Sequence, residues 1–199
     1  MSGWRSIFAP TTMRAGSELA SFRGRQMSPE PVFQIQLVVG YVVWLVCFGT
    51  YIWPWLKSLD RLDAQRAIAT LHSFRFFGLA FGLPGVVGAD LPASFATPAA
   101  YGDFATGVLA IMALLTIRVR PVFWLLVVSF NVVGISDLFL AYYHAIQAGL
   151  PARAGALGAM YAIPILYVPL LMLTHIAGLY LLARPKSKEA GGPRGGAVA

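Results

Sequence analysis

Six side chains capable of acid–base, ligating or charge-pairing chemistry, His72, Arg75, Asp103, Asn131, Asp137 and His175, lie within stretches of chain that are otherwise apolar. An ionisable group held at membrane depth costs several kcal/mol, so each should face a protein interior and find a partner there. His72 and Arg75 are three residues apart and share one helical face. Arg75 carries the planar donor fork suited to a carboxylate or phosphate. With His72, Asn131 and His175 orienting it, the group reads as a site for a small polar, anionic or amphipathic ligand. On this reading Arg75→Met abolishes binding while the bundle still folds. An enzymatic variant of the reading uses a histidine as general base, and the sequence leaves catalysis open.

Other chemistries compete for the same residues. No cofactor is required, but neutral imidazoles at one depth on two helices are also haem ligands, which makes haem b or a metal on His72 and His175 the alternative. Against it stand the small number of histidines, three in all, and the cationic Arg75 one turn away. A purely structural reading pairs Arg75 with Asp137 or a backbone carbonyl and lets the histidines and Asn131 bond across helices, giving a non-catalytic scaffold. A transporter or channel half completed by homo-oligomerisation is the remaining option. The chain has no Walker-type glycine loop, His-Glu-x-x-His, Gly-x-Ser-x-Gly or Cys-x-x-Cys. Its one cysteine, Cys47, excludes an intramolecular disulfide.

The elements that must position these residues are membrane helices. The chain is 58% hydrophobic and only 12% charged, where soluble domains carry about 25% charged residues. The fold class is therefore all-α, an integral membrane bundle of five transmembrane helices. The spans fall at about 33–56, 67–88, 97–117, 122–146 and 157–183 within a membrane domain of residues 32–184. Leu83-Pro84-Gly85 should break the second span, and Thr97-Pro98 reads as an N-cap with proline at the first helical position. Gly78 and Gly82 form a small-xxx-small pair suited to close helix packing inside the bundle. Residues 1–31 form an Arg-containing extension without an apolar signal region, read as disordered or as a mis-assigned start with Met27 the true one. Residues 185–199 read as a disordered cytoplasmic tail.

The net charge of +7 reflects topology rather than a nucleic-acid partner. Nine of the fifteen Lys and Arg residues fall on one side of a five-span plan, and only Arg153 falls in the loops of the other. The positive-inside rule then places the N-terminus outside and the C-terminus in the cytoplasm. At ~1.5 Å per residue, His72, Arg75, Asn131 and His175 share a layer roughly 8–14 Å from the inner boundary. Asp103 and Asp137 fall at a second level nearer the outside. The partners so implied are the lipid bilayer and a small-molecule ligand.

A set of local motifs carries a resemblance: Leu71-His72-Ser73-Phe74-Arg75-Phe76-Phe77-Gly78, Leu83-Pro84-Gly85-Val86-Val87-Gly88, Phe95 through Asp103, Phe130-Asn131-Val132-Val133-Gly134 with Asp137, and Ile163-Pro164 through Thr174-His175. Together they resemble a group of small uncharacterised bacterial multi-pass membrane proteins, over about residues 32–184. The resemblance implies a bacterial cytoplasmic membrane, a shared five-span plan and a start-site error in preference to a transit peptide. It brings no activity, substrate or cofactor.

Overall fold

The computed structural model describes residues 28–184; the expectations for residues 1–27, Met27 included, and for the C-terminal tail lie outside the described residues, whereas Pro29–Pro31, expected in the disordered extension, open the first helix. The described chain is all-helical: α1 (Pro29–Ser58), α2 (Arg61–Ser73), α3 (Ala93–Leu115), α4 (Arg120–Gln147) and α5 (Ile163–Ala183). Two 3-10 segments, Phe74–Gly82 and Leu150–Tyr161, continue α2 and precede α5. Four helices, α1, α3, α4 and α5, are long and apolar enough to cross a membrane.

The second expected span is the exception. Its α-helical part begins earlier, at Arg61, behind an Asp60 cap that accepts from the Asp63 amide at 2.7 Å, and it ends at Ser73. From there the chain winds more tightly, as a 3-10 helix, to Gly82. The residue pattern explains the change. His72, Arg75, Gly78 and Phe81 are all buried and fall at intervals of three, and only a 3-10 helix keeps such a series on one face. Phe74, Phe76, Phe77 and Leu79 between them point outward. Leu83 is extended and Gly85 left-handed (φ 85°), so the expected break at Leu83-Pro84-Gly85 is present.

Two other boundaries also move. Helix α3 starts at Ala93 rather than Pro98, because Pro92 sets the entry and its carbonyl accepts from both Phe95 and Ala96. Pro98 is then internal, and the hydrogen bond it removes lies on the exposed side of Ser94. The fifth span is regular only from Ile163. Before it, Gly158 (φ 53°) brings its backbone so close to the Val86 carbonyl that a Cβ there would collide. The Val86–Gly88 loop and residues 156–159 exchange two backbone hydrogen bonds, Ala159 to Val86 (3.0 Å) and Gly88 to Ala156 (2.8 Å), which close this end of the bundle.

Helices α1 and α5 each contain one π-helical turn, Phe48–Ile52 and Ile163–Tyr167. Each ends two residues before a proline, Pro54 and Pro169. A proline lacks the N–H and its ring crowds the carbonyl four residues back, so the turn before it widens.

Two apolar cores fill the bundle. Phe33, Phe81, Phe95, Leu150, Leu157 and Met160 belong to one; Leu56, Ile68, Phe123, Val127, Phe130 and Leu181 belong to the other. Helix α1 is peripheral, with a long exposed valine face. Apolar burial drives little association against lipid, so approach distance matters more. Gly78 faces the Asp103 side chain so closely that a Cβ would overlap it, whereas Gly82 has nothing within 4 Å. Gly78→Ala should therefore cost about 1–3 kcal/mol, several degrees of thermal unfolding in detergent, and Gly82→Ala should stay within about 0.5 kcal/mol. Equal melting temperatures for the two variants would contradict this packing.

Candidate functional site

Between the two apolar cores every helix but α1 contributes polar groups. His72 and Arg75 come from the junction of α2 with its 3-10 extension, Asp103 and Thr106 from α3, Asn131 and Asp137 from α4, and Thr174 and His175 from α5. His72, Arg75, Thr106, Asn131 and His175 have no exposed surface.

Arg75 is the hub. Its Nε donates to Asp103 Oδ1 at 2.6 Å, and Nη2 donates to Asp137 Oδ2 at 2.5 Å. Nη1 reaches the Gly134 carbonyl (3.3 Å) and His175 Nε2 (3.2 Å). One guanidinium thus ties the α2 extension to α3, α4 and α5. The expected pairing with Asp137 or a carbonyl is present in both forms, and Asp103 joins it. The two levels expected from helix counting are therefore one connected level. Helix α2 begins at Arg61, six residues before the expected start of the span at 67, and the ~9 Å of added helix carries Arg75 to the depth of the carboxylates.

The remaining bonds define the tautomers. Asn131 Nδ2 donates to the Val127 carbonyl at 2.8 Å, which leaves Oδ1 to accept from His175 Nδ1 at 3.1 Å. His175 is then neutral, and its Nε2 lone pair accepts from Arg75. Thr174 spends its hydroxyl proton on the Leu170 and Leu171 carbonyls (2.9 and 3.0 Å), so Oγ1 accepts from His72 Nε2 at 3.1 Å. Among the described residues His72 Nδ1 has no hydrogen-bond partner.

Four glycines let these side chains fit. A Cβ on Gly78 would strike Asp103, one on Gly102 would strike Asp137, one on Gly134 would strike His175, and one on Gly178 would lie 2.8 Å from Asn131 Oδ1. Each large polar group is thus seated against bare backbone of the next helix.

Sequence reasoning missed several participants. Gln65, fully buried, donates to the Gly178 carbonyl at 2.8 Å; it lies two turns before His72 on one face, a spacing that could have identified it. Tyr167 donates to the Leu71 carbonyl at 3.0 Å, beside the point where α2 tightens. Gly134 stands three residues from both Asn131 and Asp137. The Gly102 and Gly178 contacts had no sequence signal, because the partners are distant in the chain.

Haem or metal ligation by His72 and His175 is not supported. Their rings overlap at a 32° tilt with centroids 3.9 Å apart, whereas ligand lone pairs lie in the ring plane and must converge on one point ~2 Å from each nitrogen. His175 also has both nitrogens engaged. Among the described residues no group of three or more His, Cys, Asp or Glu is placed to hold a metal ion.

On the side of the polar level toward Phe33 and Ile163 is a chamber of about 210 Å³. Its walls include Phe33, Leu37, Phe81, Leu138, Ile146 and Ile163, and Asp103 and Asp137 bring their carboxylates to it. The side chains of Asp103 and Asp137 keep 14% and 11% exposure. His72, Arg75, Asn131 and His175 do not line it. Tyr142, also on the wall, shares a 2.5 Å hydrogen bond with Tyr41 of α1 and so pins the peripheral helix beside the chamber.

Removing Arg75 leaves two carboxylates without their cation. Arg75→Met should cost about 3–5 kcal/mol, and Arg75→Met/Asp103→Leu/Asp137→Leu should recover most of it. His72→Phe, which loses a single interhelical bond worth ~0.6 kcal/mol, should cost less than about 1 kcal/mol. Unfolding titrations in mixed micelles give this ranking, and an Arg75→Met variant as stable as His72→Phe would contradict the hub.

Comparison with known proteins returns no match to a curated protein and no match to a solved structure. It returns one family match, over residues 32–183, which takes in α1 to α5 and the whole polar level. The chain belongs to the family described as Domain of unknown function (DUF8737).

Proposed function

We propose that this is a five-pass protein of a bacterial cytoplasmic membrane that binds a small amphipathic ligand in the chamber beside Asp103 and Asp137. The observation that carries the reading is an apolar chamber whose inner end meets a charged, hydrogen-bonded group. Concave, mostly apolar sites with a few convergent polar groups are the usual form of small-molecule sites. A dry apolar cavity of ~150 Å³ takes up benzene, so about 210 Å³ suits one ring or a short chain.

Supporting the fifth pass, α2 and its 3-10 extension together reach about 37 Å at ~1.5 and ~2.0 Å per residue, beyond a ~30 Å hydrocarbon core. Orientation with the N-terminus outside is supported by the basic residues at one end. There Arg61 donates to the Leu182 carbonyl of α5 and lies over the Trp124 ring of α4, 5.1 Å from its centroid. Lys57, Arg66, Arg118 and Arg120 occupy the adjoining helix ends.

The geometry alters the ligand role first expected for Arg75. Four of its five N–H groups already have acceptors, and carboxylates stand between it and the chamber. Arg75, His72, Asn131 and His175 hold the site together, and Asp103 and Asp137 touch the ligand. With both histidines walled off, the reading is binding rather than acid–base chemistry by an imidazole.

The test is a ligand-induced thermal shift with native mass spectrometry of the purified protein, using octylamine, octanol and octanoate as probes. Wild type should bind at least one of them with a single adduct and a concentration-dependent rise in melting temperature. Ala141→Phe, which places a ring in the chamber, should weaken that binding by tenfold or more while remaining folded. Absence of binding by all three probes, or full binding by the filled variant, would refute the assignment.

A further inference from the structure

We infer that the ligand of this chamber carries a cationic head, an ammonium on an apolar body; the inference rests on the binding reading above and specifies its chemistry. The argument is a charge and hydrogen-bond count at the chamber's inner end. One guanidinium, Arg75, faces two carboxylates, Asp103 and Asp137. The adjacent histidine, His175, is neutral by its hydrogen bonds, donating from Nδ1 and accepting at Nε2. With both carboxylates ionised the group holds one negative charge in excess. An uncompensated charge is expensive in a medium that cannot solvate it, and a monovalent cation removes the excess.

Each carboxylate also has one oxygen that Arg75 does not fill, Asp103 Oδ2 seated beside Gly78 and Asp137 Oδ1 beside Gly102. Each carboxylate gives one oxygen to Arg75, Asp103 through Oδ1 and Asp137 through Oδ2. Among the described residues Asp103 Oδ2 and Asp137 Oδ1 have no donor, and both side chains line the chamber and keep some exposure. An ammonium has three N–H donors and no acceptor, which complements two unfilled carboxylate oxygens. A carboxylate or phosphate head would meet like charge there, and a hydroxyl would leave the excess charge in place. The remaining wall is apolar, apart from the Tyr142 hydroxyl already held by Tyr41, so the rest of the ligand is hydrocarbon or aromatic. A zwitterionic phospholipid head would bring its phosphate toward the same carboxylates; the class is therefore a free amphipathic amine.

The experiment compares head groups at constant chain length. In nanodiscs of phosphatidylglycerol at neutral pH, octylammonium should bind at least tenfold more tightly than octanol, and octanoate more weakly than both. Asp137→Asn keeps the size of the side chain and cancels the excess charge, and should reduce the preference for octylammonium over octanol to less than threefold; Asp103→Asn provides the same measurement should the first variant not fold. Equal affinities for octylammonium and octanol in the wild type would mean that a proton already neutralises the pair. That result overturns the cationic head and leaves the chamber as an amphiphile site. Binding of none of the probes removes the site itself. If phosphatidylethanolamine in the nanodisc abolishes octylammonium binding, the assignment to a free amine is overturned in favour of the lipid.

Discussion

A guanidinium with no access to water must have its charge answered by the protein, and the arrangement of four helices follows from how that is done for Arg75. Its acceptors come from α3, α4 and α5, at 2.5 to 3.3 Å, so sliding any one of these helices along its axis breaks a charge-assisted bond. Such bonds are about twice as strong as neutral ones. In a bilayer, where apolar surface is equally content against lipid, a polar junction of this kind supplies register that apolar packing does not. The benefit is specificity as much as stability, since a buried ion group can often be replaced by apolar residues without loss.

The junction constrains the backbone around it. The segment from Phe74 to Gly82 winds at three residues per turn, which keeps Arg75, Gly78 and Phe81 on one buried face at the cost of poorer hydrogen-bond geometry. The junction also requires neighbouring backbones to come close, which Gly78, Gly102, Gly134 and Gly178 permit by offering no Cβ where a side chain must lie. The polar level separates two apolar cores along α3, α4, α5 and the run formed by α2 with its 3-10 extension. On the side toward Phe33 and Ile163 the side chains do not close over Asp103 and Asp137, and a chamber results. The structural and ligand-binding readings of the same residues are thus compatible: the buried groups hold the helices, and the two partly exposed carboxylates are what the chamber offers.

Much of this was legible from residue order. Long apolar runs identify membrane helices because hydropathy is a local property, and the six polar residues within them are those that meet or adjoin the hub. Even the tight winding has a trace, His72, Arg75, Gly78 and Phe81 at intervals of three, whose consequence for the second span went unread. Starting the second span at 67 rather than at Arg61 left out ~9 Å of helix at ~1.5 Å per residue, and so separated Asp103 and Asp137 from Arg75 by a level that does not exist.

Residue order alone gave the helical class, the apolar helices long enough to cross a membrane and the identity of the groups needing partners, because each depends on composition within a window of about twenty residues. It could not settle which partner each group takes. Arg75 and Asp103 are 28 residues apart, Arg75 and Asp137 62, and Arg75 and His175 100; such contacts depend on the rotation and axial offset of whole helices. The commitment of the guanidinium, the close approach of the two imidazoles and the chamber all arise at that level, where packing and charge balance between distant segments act together.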